Sequence, residues 1–309
     1  FTSIGGVAAN YVARWDGASW HALGSGTNQR VSALAVSSVG ELIVGGWFTN
    51  AGGVAASRIA KWSGSSWSAL GAGTNAEVAA LHCRANGDIA VGGRFTLAGG
   101  AAARGIAIWH GGTSSWSSLG SGLAGGSSLA RAICDAPNGD LIVAGDFIWA
   151  GGVVCRSIAS WNGTVWAPLG AGFGTGEVKD LDVLPNGDLM ACGSISGGLA
   201  RWDGGAWSSV AGGVNGFPFD MDWSAHDLIV GGNVSLTAPS TNPAVSVSLA
   251  RLGSTCSASA TASGVGCPGS GGASQLSVDQ LPWLGTTYQA TGTGLPAFAF
   301  VANAVGFAM

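Results

Sequence analysis

Two pairs of aspartates share one spacing in this chain, Asp180 with Asp182 and Asp220 with Asp222. Alternate residues of a strand lie on the same face, so each pair would present two carboxylates on one side. Oxygen ligands gathered in this way suit a hard cation such as Ca²⁺; the alternative is a solvated acidic channel that holds no metal. No other cofactor is implied, because the chain lacks a G-x-S-x-G elbow, an H-E-x-x-H helix and a phosphate-binding loop ending in Lys-Ser/Thr. The histidines, His21, His82, His110 and His226, are scattered and read as surface or rim residues. Cys83, Cys134, Cys155, Cys192, Cys256 and Cys267 contain no C-x-x-C pair, which argues against structural zinc. Cys256 and Cys267, set among Ser, Ala and Gly, read as a disulfide closing a short loop, which fits an oxidising compartment.

What would bring those aspartates together is a repeat. The segment FTSIGGVAANYVARWDGASWHALGSGTN from Phe1 returns from Phe48 as FTNAGGVAASRIAKWSGSSWSALGAGTN, from Phe95, from Phe147, and more loosely near Ile195. Its leading tryptophans are Trp15, Trp62, Trp109, Trp161 and Trp202, each followed by a second at Trp20, Trp67, Trp116, Trp166 and Trp207. Between these stretches runs a shared block such as AALHCRANGDIAVGG or KDLDVLPNGDLMACG. Each unit therefore carries four short apolar runs of the forms VxALxV, DLIVGG, IAxW and SWxxLG, bounded by Gly, Asn and Ser. Runs of this length and composition read as strands. The Asn-Gly-Asp at Asn86, Asn138 and Asn186 reads as a hairpin turn with positive φ at Asn or Gly. Four antiparallel strands in roughly 40 to 50 residues form a propeller blade.

The order of features resembles the kelch repeat family, carried here by Gly45-Gly46, Gly92-Gly93 and Gly231-Gly232, by the Trp pairs, and by Leu23, Leu70, Leu119 and Leu169. Similar FTxAGG and IAxWDGSSW repeats occur in large secreted bacterial proteins, and the resemblance spans residues 1 to about 253. Kelch blades usually carry a Tyr near the third strand, whereas this chain has 2 Tyr in all, so the likeness is one of architecture.

Composition agrees with such a fold. The 309 residues include 55 Gly and 14 Trp, with 12 Lys+Arg against 16 Asp+Glu. With 9 Pro and no G-X-Y period it is not collagen, and 47% apolar residues exclude a disordered chain. A net charge of -4 without basic clusters argues against nucleic acid, and no apolar run reaches membrane-spanning length. Scarce charge follows if sheets are covered on both faces. The repeated tryptophans then read as wedges between blades, with a carbohydrate-stacking platform as the alternative.

The expected fold is all-β: a propeller of four-stranded blades, five or six in number, over residues 1–253. A Ser/Gly-rich linker follows at 254–273, and residues 274–309 form a small, incomplete β-sandwich-like segment. The chain starts inside a unit, so either a signal has been removed or it is part of a longer protein. Its first two strands could complete the blade begun near Phe219. The expected function is that of a secreted or cell-surface, non-catalytic structural or interaction module, binding a protein partner or assembling with itself through its C-terminal strands. A polysaccharide-binding lectin is the alternative, and an enzyme with its site on the propeller face is a third.

Overall fold

The computed structural model describes residues 1–210 and the strands Val214–Ser224, Asp227–Leu236, Val245–Gly253, Gln275–Val278, Ala290–Thr293 and Val301–Ala304. The chain divides into two compact units, Phe1–Thr175 and Gly176–Met309. All described elements are strands. No helix among the described residues is long and apolar enough to cross a membrane.

In the first unit three four-stranded antiparallel meanders follow an N-terminal pair, Ala13–Trp15 with Trp20–Ala22. The first sheet is Val31–Val36, Leu42–Gly46, Ile59–Trp62 and Trp67–Ala69; the second is Val78–Cys83, Asp88–Gly93, Ile106–His110 and Ser115–Ser118. The third is Leu129–Asp135, Leu141–Asp146, Ile158–Trp161 and Trp166–Pro168. The first strand of the second sheet lies against the first strands of both neighbours. These sheets are propeller blades, and their core lies between them. Ile43, Ile59 and Leu70 of the first blade share one buried cluster with Val78, Ile89 and Trp109 of the second. Ile106 and Leu119 of the second share another with Ile133, Leu141 and Trp166 of the third. Gly45 is required by this contact, since a Cβ there would lie 2.4 Å from Val78 Cγ1 of the next blade.

The second unit holds the blade Val178–Val183, Leu189–Gly193, Leu199–Trp202 and Trp207–Ser209. A further sheet pairs Val214–Ser224, Asp227–Leu236 and Val245–Gly253 with Val301–Ala304. The expected completion of this sheet by the N-terminal pair is thus not made: the fourth position belongs to Val301–Ala304, and Ala13–Trp15 with Trp20–Ala22 remains a two-stranded sheet. Gln275–Val278 pairs with Ala290–Thr293. The linker expected at 254–273 lies outside the described residues.

Two details add to the sequence expectation. In the Asn-Gly-Asp turns only the glycine has positive φ, 86° at Gly87 and at Gly139 and 89° at Gly187. Gly87 N donates to Arg84 O at 3.0 Å and Arg84 N to Asp88 O at 2.9 Å. This is a type I turn closed by a left-handed glycine. Asn86 serves through its side chain, Oδ1 accepting from Asp88 N and Nδ2 donating to Asp88 Oδ2, both at 3.0 Å. The second detail is a strand pair absent from the four-run reading. Between the second and third strands of each blade in the first unit lies a two-residue hairpin, for example Asn50–Ala51 with Val54–Ala55. Its turn is Gly52-Gly53, with φ of 60° and 86°.

That hairpin covers the second tryptophan of each pair. A Cβ on Gly52 would stand 2.1 Å from Trp67 Cδ1, whereas one on Gly53 meets nothing within 4 Å. Both glycines have left-handed φ, so alanine at Gly53 should cost about 1 kcal/mol of backbone strain. Alanine at Gly52 adds overpacking of a buried indole, for a total of about 3 kcal/mol. Urea unfolding of Gly52→Ala and Gly53→Ala checks this; equal losses would show that the hairpin does not clamp Trp67.

Candidate functional site

Three groups of residues could do chemistry or binding. The tryptophan pairs come first. Trp62 and Trp67 are directly opposed across their strands, with ring centroids 5.3 Å apart at 51°. The same pairing recurs at Trp15/Trp20, Trp109/Trp116, Trp161/Trp166 and Trp202/Trp207. The second ring reaches into the preceding blade: Trp67 Nε1 donates to Leu23 O at 2.8 Å, Trp116 Nε1 to Leu70 O at 3.1 Å, and Trp166 Nε1 to Leu119 O at 2.9 Å. The leading tryptophans vary in burial. Trp109 is 8% exposed and Trp62, Trp161 and Trp202 are half-buried, while Trp15, in the two-stranded pair, is 49% exposed. Rings so placed offer little free face for a sugar.

The aspartates form the second group. Asp180 lies opposite Cys192 and Asp220 opposite Gly231, each on the first strand of its sheet, and those first strands touch. Asp180 Oδ2 crosses to the neighbouring strand and accepts from Met221 N at 2.9 Å. Burial, together with the Asp220 carboxyl beside it, lifts the Asp180 carboxyl to about 7 against the pull of the Met221 and Leu181 amides. Cys192 is fully buried, and burial plus the two carboxyls pushes its thiol up, out of the reactive range. Asp182 Oδ1 accepts from Val183 N at 2.8 Å, and Asp222 is exposed. Among the described residues no three His, Cys, Asp or Glu side chains gather as metal ligands. The Asp180 carboxyl, raised chiefly by burial, thus lies beside that of Asp220.

The remaining residues singled out by sequence are distributed. His21 Nε2 lies 2.5 Å from Asp16 Oδ2, His110 Nδ1 lies 3.0 Å from Asp88 Oδ1, and His82 Nε2 lies 3.2 Å from Asp135 Oδ2. Cys134, Cys155 and Cys192 are buried and Cys83 is half-buried. Cys256, Cys267 and His226 lie outside the described residues.

The third group was not visible to sequence reasoning. A cleft of about 440 Å³ opens between the first and second blades, lined by Ser37, Glu41, Lys61, Gly87, Ile89 and Trp109 among others. Lys61 Nζ sits 2.8 and 3.0 Å from the two Glu41 carboxylate oxygens at its rim. The place of Ser37 is held by Arg84, Ala136 and Leu184 in the following units, so the sequence marks it only as variable.

No family model and no curated protein sequence matches the chain. Among solved structures it is similar to virginiamycin B lyase from Staphylococcus aureus, at 11% identity and a TM-score of 0.46 over 70% of this chain and 69% of that one. It is similar to PorZ, a surface component of the type-IX secretion system of Porphyromonas gingivalis, at 15% identity and 0.44 over 65% of this chain. An extracellular domain from B. thetaiotaomicron matches at 11% identity and 0.45 over 65% of this chain. The chain spans 30% of the PorZ chain and 26% of the B. thetaiotaomicron one.

Two expectations follow. Trp109→Ala should lose on the order of 3 to 5 kcal/mol, and an unchanged thermal melt would return Trp109 to a surface role. Asp180 binds its proton more tightly folded than unfolded, so its contribution to stability is present below the ordinary carboxyl value of 3.8 and is lost as pH rises toward about 7. Asp180→Asn should therefore stabilise the protein at neutral pH relative to the parent, and the difference should vanish in acid. Urea unfolding across that range measures it; a pH-independent difference would refute the raised Asp180 value.

Proposed function

We propose that this chain is a kelch-like propeller module of a secreted or cell-surface protein, and that it works without catalysis by engaging a protein partner. The observation that carries this reading is the row of short hairpins along one end of the first unit. Backbone bonds fix each hairpin to the loop of the preceding repeat: Gly52 N donates to Gly26 O at 2.7 Å, Gly99 N to Gly73 O at 2.8 Å, and Gly151 N to Gly122 O at 2.8 Å. Held in that way, the hairpins present apolar side chains to solvent, Val54 38% exposed, Leu97 40%, Trp149 39% and Val154 50%. Apolar residues grouped on a rigid surface mark an interaction site, and a Trp among them suits a hot spot.

The non-catalytic part is supported by the chemistry of the acidic pair. Asp180 and Asp220 have as neighbour a thiol driven toward its protonated form, so they do not activate a nucleophile. The extracellular part is supported by composition, 9% charged with an even number of cysteines. The fourth strand supplied by Val301–Ala304 is the element through which self-assembly would operate, by exchange of that strand between copies.

A photo-crosslinking residue at Leu97 or Val154, in the protein expressed in its own host, should yield a discrete protein adduct. The same residue at Ser65, in the exposed turn between the third and fourth strands of the first blade, should yield none. Equal labelling from all three positions, or none from any, would remove the hairpin end as the binding surface.

A further inference from the structure

Charge in the first unit is divided between its two ends. The first strand of each blade starts, and the second finishes, at the hairpin end, whereas the Asn-Gly-Asp turns lie at the other. Five arginines flank the hairpins: Arg30 ahead of a first strand, Arg94 after a second, and Arg58, Arg104 and Arg156 ahead of a third. They stand far apart in sequence, and the repeat returns them to one end. The acids there are Glu77 and Asp146, and both are engaged. Glu77 is buried between Arg30 at 3.4 Å and Arg94 at 3.6 Å, and Asp146 accepts from Ser127 N at 3.0 Å. At the opposite end Asp16, Glu41, Asp88, Asp135 and Asp140 outnumber Arg14, Lys61 and Arg84, while Arg131 sits within a first strand. The hairpin end is therefore cationic in a chain whose net charge is -4.

The cations are held on rigid loops. Gly105 N donates to Phe95 O at 2.9 Å and Ser157 N to Phe147 O at 2.8 Å, while Arg104 O and Arg156 O accept from Leu123 N at 2.8 Å and Phe173 N at 2.9 Å. Arg104 and Arg156 are exposed, and among the described residues neither makes an ion pair. Beside them stand the apolar hairpin side chains Leu97, Trp149 and Val154, and Arg30 lies 5.5 Å from the centroid of the exposed Trp47 ring. We infer that this end docks an acidic segment of a partner protein, in which Asp or Glu alternates with apolar residues. The inference rests on the hairpin end being the protein-binding surface proposed above, and it adds the chemistry of the partner. Carboxylates would pair with the Arg104 and Arg156 guanidinium forks, and apolar side chains would cover the hairpins. A uniformly charged polyanion would set charge against Leu97 and Val154. A membrane surface calls for apolar groups that reach about 5–10 Å into the headgroup boundary, whereas these are half embedded in two-residue hairpins.

Fluorescence anisotropy of the full chain with a labelled peptide of alternating Glu and Leu tests this, beside a counterpart with Gln for each Glu and with heparin or phosphatidylserine vesicles as competitors. The acidic peptide should bind saturably, and about tenfold more weakly when Arg104→Gln and Arg156→Gln are combined or when the Gln peptide replaces it. Neither competitor should displace it. Arg104→Glu with Arg156→Glu should instead gain binding to a Lys counterpart, a result that an unfolded variant would not give. The proposal is overturned if the acidic peptide does not bind, if a folded Gln variant keeps full affinity, or if heparin or the vesicles displace the peptide. Equal binding of the Glu and Gln peptides, lost in Trp149→Ser, would overturn the acidic preference and leave the protein-binding surface standing.

Discussion

The structure depends on one hydrogen bond made three times in the first unit, from a tryptophan indole to a leucine carbonyl of the repeat before it. Trp67, Trp116 and Trp166 make it to Leu23, Leu70 and Leu119. A buried indole N–H left without an acceptor would cost about 1 to 3 kcal/mol, and the Leu-Gly loop supplies that acceptor where the fourth strand of the preceding blade ends. The bond therefore fixes angle and register between blades as well as adding energy. It also explains the glycines around it: Gly52 must lack a Cβ because Trp67 lies beneath it, and Gly71 must because the Trp109 and Trp116 rings of the next blade lie against it.

Scarcity of charge has the same origin. A blade covered on both faces can place an ion only where partners close around it, and most charges here lie at strand ends. Lys61 pairs with Glu41 across adjacent strands, Arg201 with Asp188 in the same manner, and Arg84 with Asp135 between blades. Glu77, at the start of a first strand, is met by Ser32 Oγ at 3.2 Å and Arg30 Nη2 at 3.4 Å from the neighbouring blade.

Four-run periodicity made the blade strands legible in the sequence, and in the first unit each run became a strand in the expected order. The extra hairpin was not legible, because two-residue strands carry no period and AGG reads as a turn. The Asn-Gly-Asp signal gave the turn and left positive φ open between Asn and Gly; Asn86 is held by bonds to Asp88, so the left-handed position falls to Gly87. Among the aspartates, alternation correctly put both pairs on first strands. It could not reveal that Asp180 turns toward the Met221 amide while Asp182 bonds locally at Val183. Sequence places a residue on a face, whereas bringing four carboxyls to one point requires rotamers and strand offsets that periodicity does not encode.

Departures from the repeat mark where its geometry has been put to another use. At the inner position of the first strand the first three blades carry Ala33, Ala80 and Ala132, and a Cβ added at the facing Gly92 would come within 2.7 Å of Ala130 in the next blade. Such crowding admits only small side chains. In the second unit the same position holds Asp180 and faces Cys192 in place of glycine, which adds two polar side chains to the tightest part of a blade. The carboxyl is accommodated because it bonds to the Met221 amide and holds its proton, and the thiol because it stays protonated. Polarity is tolerated at that depth when the groups present are neutral and bonded. Arg84 is the converse case: Ser37 and Ala136 hold its place in the neighbouring blades, and the arginine comes with a carboxylate partner, Asp135, where the preceding blades carry Val36 and Cys83. Both changes involve matched pairs of positions in adjacent strands or blades, which is the condition a repeat must meet before it can lose its uniformity and still pack.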